Sequence, residues 1–124
     1  MKQLVQFTSF TKPDTIINLG NGEYYYVFNI EPTEVKVPYE DRTEQGYSFN
    51  KVTIQGYLTY AKCVRAVIRA YVSVDDEFDL INTANRALMG LLSEDEKTKA
   101  LNDYNEYLNM VSNIKQKIRK DFEQ

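Results

Sequence analysis

The sequence predicts an α+β fold: a small N-terminal antiparallel sheet or hairpin, followed by three α-helices of which the last is long. Three observations carry this. Residues 4–54 are rich in aromatic and β-branched side chains and are broken by turn signals. From Thr59 the apolar period changes to that of a helix. Serines at 73 and 93, each followed by a crowd of acidic residues, mark two further helix starts.

In the β-rich half, residues 4–10 alternate in part, and Lys12-Pro13-Asp14 is a turn signal. Gly20-Asn21-Gly22 between Thr15–Leu19 and Glu23–Ile30 predicts a hairpin. The second arm places Tyr24, Tyr26, Phe28 and Ile30 on one face and Tyr25, Val27 and Asn29 on the other. Glu31-Pro32 is expected to end it, because proline cannot donate to the ladder. Val35–Val37 then reads as a short edge strand, residues 39–46 as an exposed loop, and Tyr47–Ile54 as another strand.

In the helical half, Tyr60, Val64, Val67, Ile68 and Tyr71 recur at helical spacing behind Thr59 as N-cap. Ser73 starts the second helix, whose row Val74, Phe78, Ile81, Ala84, Leu88 and Leu91 is expected to be buried, with Gly90 as the stop. Ser93 and Glu96 form a capping-box pattern. The helix beyond runs to Phe122, with Leu101, Tyr104, Leu108, Val111, Ile114 and Ile118 as its stripe. Only a short turn joins the second and third helices, so an antiparallel pair is expected. Residues 1–124 are expected to make one domain, β-rich over 1–58 and helical over 59–124.

Composition narrows function by exclusion. The 124 residues contain no histidine and one cysteine, Cys63. That removes Ser-His-Asp and Cys-His catalysis, the common zinc sites and a disulfide scaffold. No catalytic residue, cofactor or metal site is expected, and the chain is read as not an enzyme. Net charge is -3, split as 5 − 7 = -2 over residues 1–58 and 10 − 11 = -1 over 59–124. Neither half carries the basic excess that draws a protein to phosphate backbones. The three helices invite a helix-turn-helix reading, but the second begins with Asp75, Asp76, Glu77 and Asp79, which would face phosphates. No run approaches the roughly 20 apolar residues of a membrane span. Met1-Lys2-Gln3-Leu4 shows no secretory h-region, so synthesis in the cytoplasm is expected.

Other charge groups have plain explanations. The acidic group at 75–79 suits a helix N-terminus and lacks the glycine and spacing of a calcium loop. Lys115, Lys117, Arg119 and Lys120 spread around a helix end, diluted by Asp121 and Glu123. Lys62, Arg65 and Arg69 form a better-defined row, readable as an electrostatic docking face or as partners of the 75–79 acids across the Tyr71–Ser73 junction. Seven of the ten tyrosines precede residue 61, and tyrosine suits both cores and interfaces. Cys63 reads as a small buried residue. The candidate interface is therefore Tyr24, Tyr25, Tyr26, Phe28, Lys62, Arg65, Arg69, Tyr104 and Tyr107, and the expected partner is a protein, with a second copy of the chain as one option.

The run from Gly56 to Leu80 contains Thr59-Tyr60, a helix ending Ile68-Arg69-Ala70-Tyr71, and Ser73-Val74-Asp75-Asp76-Glu77; Tyr104 and Tyr107 follow later. In these features the chain resembles a family of small uncharacterised proteins of gut-bacterial genomes, their phages and prophages, over about half its length. The resemblance carries over no catalytic residue. It implies a mobile-element origin and a role in virion structure or assembly, with the virion as a further location. The alternative is a small nucleic-acid-binding regulator of such an element.

Overall fold

The computed structural model describes residues Gln3–Glu123; Met1 and Lys2, which open the N-terminal segment discussed above, lie outside them. Seven elements follow in order: β1 (Phe7–Ser9), β2 (Ile16–Asn18), β3 (Glu23–Lys36), β4 (Thr43–Gln55), α1 (Tyr60–Tyr71), α2 (Val74–Leu88) and α3 (Glu94–Phe122). This is the α+β architecture expected, an antiparallel sheet followed by three helices with the last one long. The chain divides into two compact units, Gln3–Ala66 and the residues from Val67 onward, with the division inside α1.

The first unit is built on a four-stranded antiparallel sheet in the order β1-β4-β3-β2. Asn18, Gly20 and Gly22 make the β2–β3 turn: the Asn18 side chain accepts from the Gly20 N–H at 2.8 Å, and both glycines sit at φ 81°, where a Cβ would be strained. Tyr24, Tyr26 and Phe28 share one face with Val52 and Ile54; Tyr25 and Val27 share the other with Lys51 and Phe49. Tyr26, Val27, Phe28, Ile54, Cys63 and Val64 are buried. Burial pushes the Cys63 thiol up to about 11, so it remains a protonated, inert side chain.

Two expectations are corrected here. Pro32 does not end β3, which continues to Lys36 and absorbs Val35. Beyond Phe28 the strand pairs with β4 alone, and a proline is tolerated where one side of a strand has no neighbour. Residues 39–46 are not all loop either: β4 starts at Thr43, leaving a turn closed by the Val37 N–H on the Arg42 carbonyl at 3.0 Å. Arg42 also holds Glu40 at 2.7 Å and Glu44, which steadies that exposed tip.

A β-bulge interrupts the β3–β4 ladder. Phe28 faces Asn50 and Glu31 faces Ser48, so Asn29 and Ile30 together oppose Phe49. Asn29 takes φ 54°, a conformation asparagine tolerates better than most residues, and its side chain donates to Asn50 at 2.8 Å. Asn50 in turn donates to the Val5 carbonyl at 2.7 Å. The simple alternation expected to place Ile30 with Phe28 therefore breaks at the bulge.

At Gly46 the constraint is space rather than backbone freedom. A Cβ there would lie 2.5 Å from the Ser9 carbonyl oxygen and 2.6 Å from a Val35 methyl. Gly46→Ala is expected to destabilise this unit by about 1–3 kcal/mol, because backbone rather than a flexible side chain must move. A urea unfolding midpoint that stays at the wild-type value would contradict that crowding.

In the second unit, α2 and α3 pack as the expected antiparallel pair. The predicted caps are present: the Ser73 hydroxyl accepts from the Asp76 N–H at 3.1 Å and the Ser93 hydroxyl from the Glu96 N–H at 3.3 Å. Likewise, in the first unit, Thr59 caps α1, accepting from the Lys62 N–H at 3.2 Å. Gly90, at φ 74°, lets the Leu91 N–H reach the Arg86 carbonyl and its own N–H reach Ala87, a Schellman ending.

The buried row expected on α2 is corrected. Of Val74, Phe78, Ile81, Ala84, Leu88 and Leu91, only Ala84 is buried; the other five are exposed. The covered positions are Ala84 and Ala87, with Leu80 half-buried between them and the first turn. Helical periodicity shows which side is apolar but not which side is covered. Small residues at the contact (Ala84 and Ala87, with Ala100 on α3) let two helices approach closely. On α3 the buried positions are Ala100, Tyr107, Ile114 and Ile118, while Leu108, expected in the stripe, is exposed.

Candidate functional site

Three features of the second unit could do something chemically or as surfaces: a polar clasp, an acidic groove and an apolar face. The clasp joins the α1–α2 junction to α3. Arg69, in the last turn of α1, donates to Glu77 Oε1 at 2.8 Å and to the Val72 carbonyl at 3.3 Å. Tyr107, on α3, donates its hydroxyl to Glu77 Oε2. Glu77 is the one acidic residue of the α2 N-terminal group turned inward; Asp75, Asp76 and Asp79 stay exposed. Arg69 and then the Tyr107 hydroxyl hold the Glu77 carboxyl below its usual range. Burial and the bond to Glu77 push the Tyr107 phenol up to about 12. At neutral pH the group is a charged pair with a neutral phenol. None of its three members is a base or nucleophile poised for proton transfer; the geometry is that of a structural fastening.

The groove lies between α2 and α3, on the side of Asp76, Asp79 and Thr83, and has a volume of about 520 Å³. Its floor is Val72, Leu80 and Ala100, and its walls carry four carboxylates, Asp76, Asp79, Asp103 and Glu106, against one ammonium, Lys99. Lys99 is engaged by Asp103 at 2.7 Å. No three acidic or thiol groups among the described residues converge as a metal site would require.

The apolar face lies further round α2, with Asp79 on the boundary between it and the groove. Val74 is 58% exposed, Phe78 64%, Ile81 36%, Leu88 71% and Met89 71%, and Leu91 continues the patch past the helix end. Four large apolar side chains on one helix, with Met89 at its C-cap, are more than the scattered exposed residues of an ordinary surface.

The residues singled out from sequence do not assemble into one site. Tyr26 and Phe28 are buried and stacked with centroids 6.1 Å apart, so their area is spent inside the sheet unit. Tyr24 is half-buried on that same face. Tyr25 lies on the opposite face with the Lys51 ammonium 4.2 Å from its ring; the same ammonium is 4.4 Å from Phe7. Lys62 donates to the Gln55 carbonyl at 2.9 Å, Arg65 is exposed and Arg69 belongs to the clasp, so the basic row is not one free docking face. Tyr104 stacks on Tyr107 at 6.2 Å, and Tyr107 is buried. Sequence reasoning missed Phe78 and Leu88 as surface residues, the signal being the apolar row itself, assigned to the interior; Met89 stood outside that row.

Comparison with family models, with curated proteins and with solved structures gave no match. Among the described residues, no helix is long and apolar enough to cross a membrane.

Proposed function

We propose that this chain is a non-enzymatic protein–protein interaction protein, serving as a structural or assembly component of a phage or prophage particle. The observation that carries the interaction reading is the exposed apolar face of α2, Val74, Phe78, Ile81, Leu88 and Met89. Leaving such area in water is unfavourable, and contiguous apolar patches of this kind mark contact surfaces. The sheet offers no comparable surface. Its edge strands β1 and β2 are three residues long, and the open stretch of β3 carries a bulge, Pro32, Glu34 and Lys36, which discourage edge-to-edge pairing. The particle or assembly role rests on the resemblance of the Gly56–Leu80 run. A nucleic-acid role is disfavoured by the acidic groove walls and the net charge of -3.

The test is Phe78→Asp. If Phe78 is a contact residue and not a core residue, the variant keeps its helical circular dichroism and its unfolding free energy within about 0.5 kcal/mol of wild type. Its enhancement of the apolar dye ANS, measured at dilute protein, falls by more than half. A loss of several kcal/mol, the size expected for a core aromatic, would instead show the face to be packed.

A further inference from the structure

Beside the apolar face of α2 runs a patterned row of charges. Val74, Phe78, Ile81 and Leu88 follow i, i+4, i+7 and i+14, with Asn85 interrupting the row at i+11. One residue further round the helix runs a second row at the same spacing: Asp75, Asp79, Asn82 and Arg86. All four are exposed, and Asp75, Asp79 and Arg86 take part in no ion pair among the described residues. This row is acidic at its N-terminal end and basic at its C-terminal end. A helix so marked complements itself when turned end for end.

We propose that a second copy of this chain covers the face, α2 packing antiparallel on α2 about a two-fold axis near Ile81 and Asn82. This rests on the interaction reading of α2 above and names its partner. In a two-fold pair, residue i meets j and j meets i, so Asp75 and Asp79 of each copy meet Arg86 of the other. In an antiparallel pair the flanks that face each other are the same flank of both helices, which makes the match hold on both sides of the axis at once. In a parallel pair each helix would instead turn this flank toward the opposite flank of its partner, so Asp75 and Asp79 would not meet Arg86. Antiparallel packing also opposes the two helix macrodipoles. Asn85 is the polar position in the seam, and such a residue fixes register at a cost in affinity. The exposed apolar residues of the row and Met89 offer on the order of 600 Å² per copy, so about 1,200 Å² for the pair, the lower end of a specific interface. The pairing is therefore reversible and depends on concentration.

Sedimentation equilibrium from about 1 μM to about 1 mM protein reads it, a range set by the affinities such areas support. Wild type is expected to pass from monomer to dimer and no further. Asp75→Lys/Asp79→Lys and Arg86→Asp each put like charges across the seam, so each variant alone dimerises at least about tenfold more weakly. Mixed in equal amounts, the two variants form a heterodimer in which both flanks are again opposite, and association returns. Circular dichroism of each variant checks that α2 is intact. Charge variants that dimerise as well as wild type, or a mixture that gains nothing, overturn the antiparallel arrangement. A wild type that stays monomeric at every concentration overturns self-pairing. If its ANS signal still depends on Phe78, the face belongs to a different protein; if that signal is indifferent to Phe78, the interaction reading fails as well.

Discussion

Tyr26→Ala is expected to cost about 3–5 kcal/mol, the largest effect of any substitution considered, and to lower the urea midpoint accordingly. Tyr26 has no exposed surface, stacks on Phe28, and sits opposite Ile16 on β2 and Val52 on β4. It stands where β3 has a strand on both sides, so the cavity left by its ring cannot be filled by a shift of an edge. Tyr26→Phe keeps the ring and is expected to lose no more than about 1.5 kcal/mol, the worth of a hydroxyl hydrogen bond. If the two variants lost the same stability, the ring would not be the main contributor. Natural domains have about 5–15 kcal/mol in total, so the alanine variant should be visibly less stable at room temperature.

Glu77→Ala is expected to cost about 2–3 kcal/mol, because it removes two side-chain hydrogen bonds to one carboxylate at once. Arg69 loses its carboxylate, and the Tyr107 hydroxyl loses its acceptor in a buried position. The cost of breaking a fully buried pair is larger, but the Arg69 side chain is 34% exposed and water can compensate it in part. The same clasp sets a pH window. The Glu77 carboxyl lies below its ordinary value of 4.5 in the folded chain, so its contribution is present above that pH and is lost as the pH falls through the folded value. The Tyr107 phenol is raised from 10.0 to about 12, so its contribution is present below pH 10 and is lost as the pH rises toward 12. Stability should therefore decline at both ends. Glu77→Gln should flatten the acid limb and lessen the alkaline one; an acid limb unchanged in Glu77→Gln would assign it to other carboxylates.

The local signals of this chain were readable because their causes are local. Ser73, Ser93 and Thr59 cap where they stand, and Gly20, Gly22 and Gly90 turn the chain where φ must be positive. Pro32 misled because its effect depends on whether the strand has a neighbour on its free side, which is a property of topology. The α2 row misled for a similar reason: periodicity gives the direction of the apolar side, while α3 packs on the face of Ala84 and Ala87. The clasp was half readable. Pairing of the Arg69 row with the acids at 75–79 follows from their closeness across the Tyr71–Ser73 junction, but nothing local to Tyr107 points it at a carboxylate 30 residues earlier. The basic row Lys62, Arg65, Arg69 dissolved because each side chain found a different fate.

The central claim, that the outer face of α2 is a contact surface, is tested most directly by hydroxyl-radical footprinting across protein concentration. At dilute protein, Phe78, Leu88 and Met89 should oxidise readily, since they are exposed, as Tyr39 and Tyr57 are to a still greater degree. As concentration rises through the association range, oxidation at Phe78 and Leu88 should fall while Tyr39 and Tyr57 stay reactive. Phe78 and Leu88 already protected at the greatest dilution would contradict the account, because the face would then be covered within a single chain.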